Sequence, residues 1–87
     1  MNEAPPEDDA AAGARYYRGT ITRVYYGSET GTIVSDESGR AYRFASPQVE
    51  IRGPIPKVGG LREGMRVGFD VGWTSAGLVV TVIRVLD

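Results

Sequence analysis

Between Ala45 and Gly60 the chain carries three prolines and three glycines, a density of breakers that no helix of more than a turn survives. The fold must be assembled from the pieces on either side, and those pieces read as strands. YYRGTITRVYY, Tyr16 to Tyr26, is rich in β-branched and aromatic residues. Within it Ile21 and Val24 lie three apart, which breaks the period of two and predicts a bulge or a twisted strand near Arg23. Thr30 to Ser35 gives a second strand, with Gly31 between two threonines. A glycine there marks a bulge or a place where something comes close to the backbone. DESG, Asp36 to Gly39, is a turn, and AYRF, Ala41 to Phe44, puts Tyr42 and Phe44 on one face and Arg43 on the other. After the broken stretch, LREG turns into MRVGFDV, where Val67, Phe69 and Val71 alternate with Arg66, Gly68 and Asp70. GWTSAG reads as a loop and LVVTVIRV, Leu78 to Val85, as a last strand. Five short strands without a repeat predict an all-β fold, a small antiparallel barrel whose closure removes its sheet edges.

With 87 residues there is room for one small domain, which buries only about 60% of the surface its unfolded chain would expose. No apolar run approaches the ~18 residues of a membrane span, so no membrane partner is expected. The start, MNEAPPEDD, has neither a basic region nor an apolar core of a signal peptide, and a cytoplasmic location is expected. Residues 1–14 hold nothing large to bury and are expected to form a disordered acidic tail, with the folded domain at 15–87. The chain has no Cys and no His, which removes thiolates, the usual acid-base side chain and the commonest metal ligand. No enzyme, catalytic residue, metal site or cofactor is expected. The net charge of -1 is uneven: Glu3, Glu7, Asp8 and Asp9 hold four of 11 acidic residues, so residues 15–87 carry ten basic against seven acidic side chains, a net of +3. Nine of the ten are Arg, read either as phosphate and base contacts or as coding bias.

GTITRVYYGSETGTI, followed by LREGMRVGFDV and a closing VVTVIRV, resembles the bacterial cold-shock domain over about Gly19 to Val85. The match from Gly19 to Ile33 has no gap. The resemblance implies a five-stranded OB-fold barrel that binds single-stranded nucleic acid on an aromatic face. Its framework positions are Gly19, Ile21, Ile33, Leu61, Gly64, Val67, Phe69 and the apolar tail. Gly31 keeps the family's second motif glycine, while Thr30 and Thr32 stand where the family has stacking phenylalanines. Arg23 stands at a usual tryptophan and Val24 at a phenylalanine. In the preferred register of AYRFAS, Tyr42 and Phe44 point inward and Arg43, Ala45 and Ser46 take the outward Phe, His and Phe positions. Losing three stacking platforms costs roughly 3 kcal/mol at the low end, about a hundredfold in affinity.

Single-stranded RNA or DNA is therefore the expected partner, bound weakly and without strong sequence preference by a monomer. Arg18, Arg23, Arg43 and Lys57 are the phosphate candidates, Tyr25, Tyr26 and Trp73 the base candidates, and Thr22, Thr30 and Thr32 the hydrogen-bonding ones. Each has a plainer reading. The threonines form strands well, and the arginines can pair with Glu29 or Asp70. Trp73 can cap a barrel mouth, and Tyr16 and Tyr17 can seal its end. IRGPIPKVGG is either a recognition loop or a connector whose Ile51, Ile55 and Val58 cover the barrel. The acidic tail either competes for the basic face or only solubilises the chain. The rival function is a protein-interaction module that has exchanged its aromatic face for a polar one; an SH3-like barrel of similar strand count is a third reading, separable by topology.

Overall fold

The structure is a computed structural model that describes residues 17–86. The expected tail at 1–14 lies outside the described residues, as do Arg15 and Tyr16. Six strands form one sheet: β1 (Tyr17–Tyr25), β2 (Thr30–Ser35), β3 (Ala41–Ala45), β4 (Glu50–Arg52), β5 (Arg66–Thr74) and β6 (Gly77–Val85). Their order is β3-β2-β1-β5-β6-β4. No α-helix occurs among the described residues, only a 3-10 turn at Val58–Gly60, and no helix is long and apolar enough to cross a membrane.

Five antiparallel strands were expected, and the sixth, β4, comes from the segment read as connector. Only three residues between breakers join the sheet, too few for alternation to show. What holds them is Ile51, buried among the core residues and opposite Ile83 on β6. The β4–β6 pairing is parallel, which makes the sheet mixed. Every other neighbouring pair is antiparallel, so β1, β3, β4 and β6 all run in one direction. The sheet curls until β3 packs near β6, yet no ladder joins those two strands and the sheet stays open.

The predicted bulge is present. Ile21 pairs with Ile33 and Arg23 with Thr32, leaving Thr22 as the extra residue. That one insertion keeps both Ile21 and Val24 on the buried side while returning Arg23 to the outer one. The core contains Ile21, Ile33, Phe44, Leu61, Val67, Phe69, Val80 and Ile83, all under 2% exposed. Tyr42 and Tyr17 lean on Phe69, with ring centroids 5.6 and 5.7 Å away, so Tyr17 does close one end of the core. Of the three residues expected to cover the core from the Pro-rich segment, Val58 and Ile51 are buried and Ile55 is half exposed.

GWTSAG is mostly strand. Trp73 and Thr74 end β5, Gly77 and Leu78 begin β6, and only Ser75 and Ala76 lie between them. Gly77 takes the positive φ of 101° that such a tight reversal demands. Trp73, on this projecting hairpin, is 81% exposed and caps nothing.

Candidate nucleic-acid interface

The outer face of β1, β2 and β3 is defined by the bulge and two ladders. Past the bulge Arg23 pairs with Thr32, and Thr32 in turn pairs with Arg43. Three side chains from three strands therefore stand in one row, Thr32 between two arginines. The next row is Tyr25, Thr30 and Ala45, and the row on the other side is Thr20, Val34 and Ala41. Neighbouring strands lie ~4.8 Å apart, so the Arg23 and Arg43 backbones are about 10 Å apart across Thr32. Both arginines are exposed, and Thr30 and Thr32 are half-buried.

Charge on this face is unneutralised. Among the described residues, Arg18, Arg23 and Arg43 take part in no ion pair, so the expected alternative of pairing with Glu29 or Asp70 is not what the structure holds. Two of the carboxylates nearby are engaged elsewhere. Asp36 accepts from Arg66 at 3.0 Å and, at 3.5 Å, from the Thr20 hydroxyl. Glu63 accepts at 3.3 Å from the Val24 N–H, on the edge of β1 that β5 no longer covers. Glu29, with a positive φ of 57°, has its carbonyl fixed by the Ser46 N–H at 2.9 Å.

The hydroxyls divide into two kinds. Thr22, in the bulge, donates to the Thr32 carbonyl at 3.4 Å, a contact that braces the bulge. Thr30 shares a 2.8 Å hydrogen bond with Ser28, which also reaches the Tyr25 carbonyl at 3.4 Å. Thr32 has no side-chain hydrogen bond among the described residues and faces outward between its two arginines.

Gly31 has a reason that concerns the inner side. A Cβ at this position would overlap the Phe44 ring and the Arg23 carbonyl. The close approach it permits is that of the Phe44 ring beneath the strand, on the core side of the sheet from the arginine row.

The remaining candidates are dispersed. Tyr25 is 56% exposed and stands beside Thr30 and Ala45, whose small side chains leave its ring uncovered. Tyr26 is exposed too, but its hydroxyl donates to the Leu61 carbonyl at 2.6 Å, which ties the strand end to the loop before β5. Arg18 lies five positions from Arg23, roughly 16 Å along the strand, with Thr20 and the Asp36–Arg66 pair between them. Lys57 is exposed ahead of the 3-10 turn. Trp73 lies four residues beyond Phe69, which pairs with Tyr17 at the opposite end of β1 from Tyr25. The structure thus gathers Arg23, Tyr25, Thr30, Thr32 and Arg43, braces them with Thr22, and leaves Arg18, Lys57 and Trp73 elsewhere.

Ser28 and Glu63 belong to this neighbourhood and were not singled out from sequence, whereas Ala45 was expected on the outer face and lies there. Ser28 carries no chemical signal of its own, and Glu63 arrives from 39 residues away. Among the described residues no group of three acidic side chains is placed to hold a metal ion. No protein-family model matches this chain, and no curated protein matches it.

Proposed function

We propose that this chain binds single-stranded nucleic acid, RNA or DNA, through the outer face of β1, β2 and β3, weakly and with little sequence preference. In this proposal the open curled sheet is a cold-shock-like OB barrel, with β3 and β4 as two segments of one strand that both follow β6. Their shared direction and the short interruption between them support that reading. The single observation that carries the function is the in-register row Arg23–Thr32–Arg43, two guanidiniums on a flat exposed surface without carboxylate partners among the described residues. Guanidinium planes stack on bases and bind phosphate, which offsets part of what the missing phenylalanines would contribute. The protein acts as a monomeric cytoplasmic binding module and carries no catalysis, in keeping with a sequence that has neither His nor Cys.

One observation favours a second reading. Thr30, Thr32 and Ala45 make the face smooth and polar, a surface on which another protein also docks. A titration of the isotopically labelled protein with oligothymidylate and oligouridylate, at low and moderate salt, separates the two. Amide shifts at Arg23, Tyr25, Thr32 and Arg43 that fade with salt support nucleic-acid binding. In the double variant Arg23→Ala, Arg43→Ala the slope of log K against log salt should flatten by about 1.4, two phosphate contacts at ~0.7 each. Absence of shifts at millimolar ligand would leave the protein-docking reading.

A further inference from the structure

We infer that the face takes only two to three nucleotides, with a single base stacked on Tyr25 and flanking phosphates held by Arg23 and Arg43; this rests on the nucleic-acid reading above. An OB fold ordinarily engages about 4 to 16 nucleotides, by laying several aromatic platforms along one groove. Here one aromatic ring stands free on the face. Tyr25 is 56% exposed beside Thr30 and Ala45, whereas Tyr26 is tethered by its hydroxyl to Leu61. The two free guanidiniums sit in the adjacent row, their backbones about 10 Å apart, a span that a segment of about two to three nucleotides covers.

Acidic groups bound this patch on two sides, and a neutral ion pair lies on a third. Glu29 lies past Tyr25 and Thr30, with its carbonyl pinned to Ser46 beside Ala45. Glu63 is held against β1 next to Arg23 by the Val24 N–H. Beyond Thr20 the charge-neutral Asp36–Arg66 pair leaves no free cation, among the described residues of β1, over the roughly 16 Å between Arg23 and Arg18. A phosphodiester chain extended past Tyr25, or off the edge of β1 beside Arg23, therefore runs toward carboxylates, and one extended past Thr20 gains no free cation until Arg18. Trp73 does not lengthen the groove, because it stands at the other end of the sheet.

The test is a length series of oligothymidylates of about two, three, five and seven nucleotides, titrated at low salt against the whole chain, Tyr25→Ala, Tyr25→Phe and Glu29→Asn. Affinity should rise from two to three nucleotides and then increase only statistically. A seven-mer offers five overlapping three-nucleotide registers, so it should bind no more than about five-fold tighter than the three-mer. Tyr25→Ala should lose about 5- to 150-fold, the loss expected for one stacked base, while Tyr25→Phe keeps the binding and shows that the ring is what matters. Glu29→Asn removes a boundary charge and suits the left-handed backbone at this position, so it should tighten the seven-mer more than the three-mer. Affinity that climbs a further thirty-fold or more beyond three nucleotides, or a Tyr25→Ala protein that binds as the parent does, would overturn the short footprint while keeping nucleic-acid binding. If no length binds, both fall together.

Discussion

The two halves of the sheet treat their charges in opposite ways. On the outer side of β1, β2 and β3, Arg23 and Arg43 flank Thr32 and meet no carboxylate among the described residues. Toward β4, β5 and β6, arginines are matched: Arg66 with Asp36 at 3.0 Å and Arg52 with Glu50 at 2.8 Å. An exposed ion pair contributes little stability, about 0 to 1 kcal/mol, so matching is mainly a way of removing net charge from a surface. Leaving guanidiniums unmatched keeps a surface attractive to anions. One half of the sheet thus carries paired arginines and the other presents two guanidiniums without carboxylate partners among the described residues.

Beneath the arginine row, on the core side, Phe44 packs against Gly31. The largest effect should follow from removing the ring. Phe44→Ala should cost about 3 to 5 kcal/mol, as expected for a fully buried phenylalanine. Gly31→Ala should cost about 1 to 3 kcal/mol by overpacking, since its Cβ meets the Phe44 ring and the Arg23 carbonyl. Together the two should be non-additive by at least ~0.5 kcal/mol, because deleting the ring relieves part of the overlap. Chemical denaturation of the four proteins measures this cycle. Additivity within error would mean that Gly31 does not serve the ring.

Much of this architecture was legible in the sequence because it depends on local alternation. Ile21 and Val24, three apart, announced the bulge, and Tyr42 and Phe44 announced which side of β3 faces the core, Phe44 fully and Tyr42 by leaning on Phe69. β4 escaped because three residues carry no period, and its one cue, Ile51, looked like any connector residue. The arginines were legible as a basic track of Arg18, Arg23 and Arg43 along adjacent strands, but not as a row in register. Their alignment depends on how the bulge shifts β1 against β2, and that register is a product of pairing rather than of either segment alone. The tether from Tyr26 to Leu61 and the contact from Glu63 to Val24 span 35 and 39 residues, so nothing local marks them. Trp73 was misread as loop because its glycines look like breakers, whereas they flank a hairpin long enough to carry it clear of the core.

Tyr26 sharpens the comparison because it is exposed like Tyr25 yet acts as structure. Tyr26→Phe removes the 2.6 Å bond to the Leu61 carbonyl and should cost about 0.5 to 1.5 kcal/mol, the usual net worth of such a bond. Binding of a short oligonucleotide should be unchanged. Tyr25→Phe provides the control in denaturation, since no hydrogen bond of its hydroxyl is found among the described residues and its stability should stay within ~0.5 kcal/mol of the parent. If Tyr26→Phe weakened binding as much as it destabilised the fold, the second tyrosine would have to be counted as part of the face.

The smallest effect should come from unmatching a charge on purpose. Asp36→Asn leaves Arg66 without its partner and should lower stability by no more than about 1 kcal/mol, since both side chains are substantially exposed. The difference should shrink toward zero near 1 M salt, where the screening length falls to ~3 Å. The binding effect should have the opposite sign. Arg66 pairs across β1 with Thr20, in the row next to Arg23, so a freed guanidinium there enlarges the unmatched half of the sheet. At low salt the variant should bind single strands a few-fold tighter, with a salt slope steeper by about 0.7 for one added phosphate contact. A variant that loses stability yet gains no affinity would show that matching at Asp36 serves the fold alone, and the boundary between the two halves of the sheet would then lie closer to Arg23 than the ion pairs suggest.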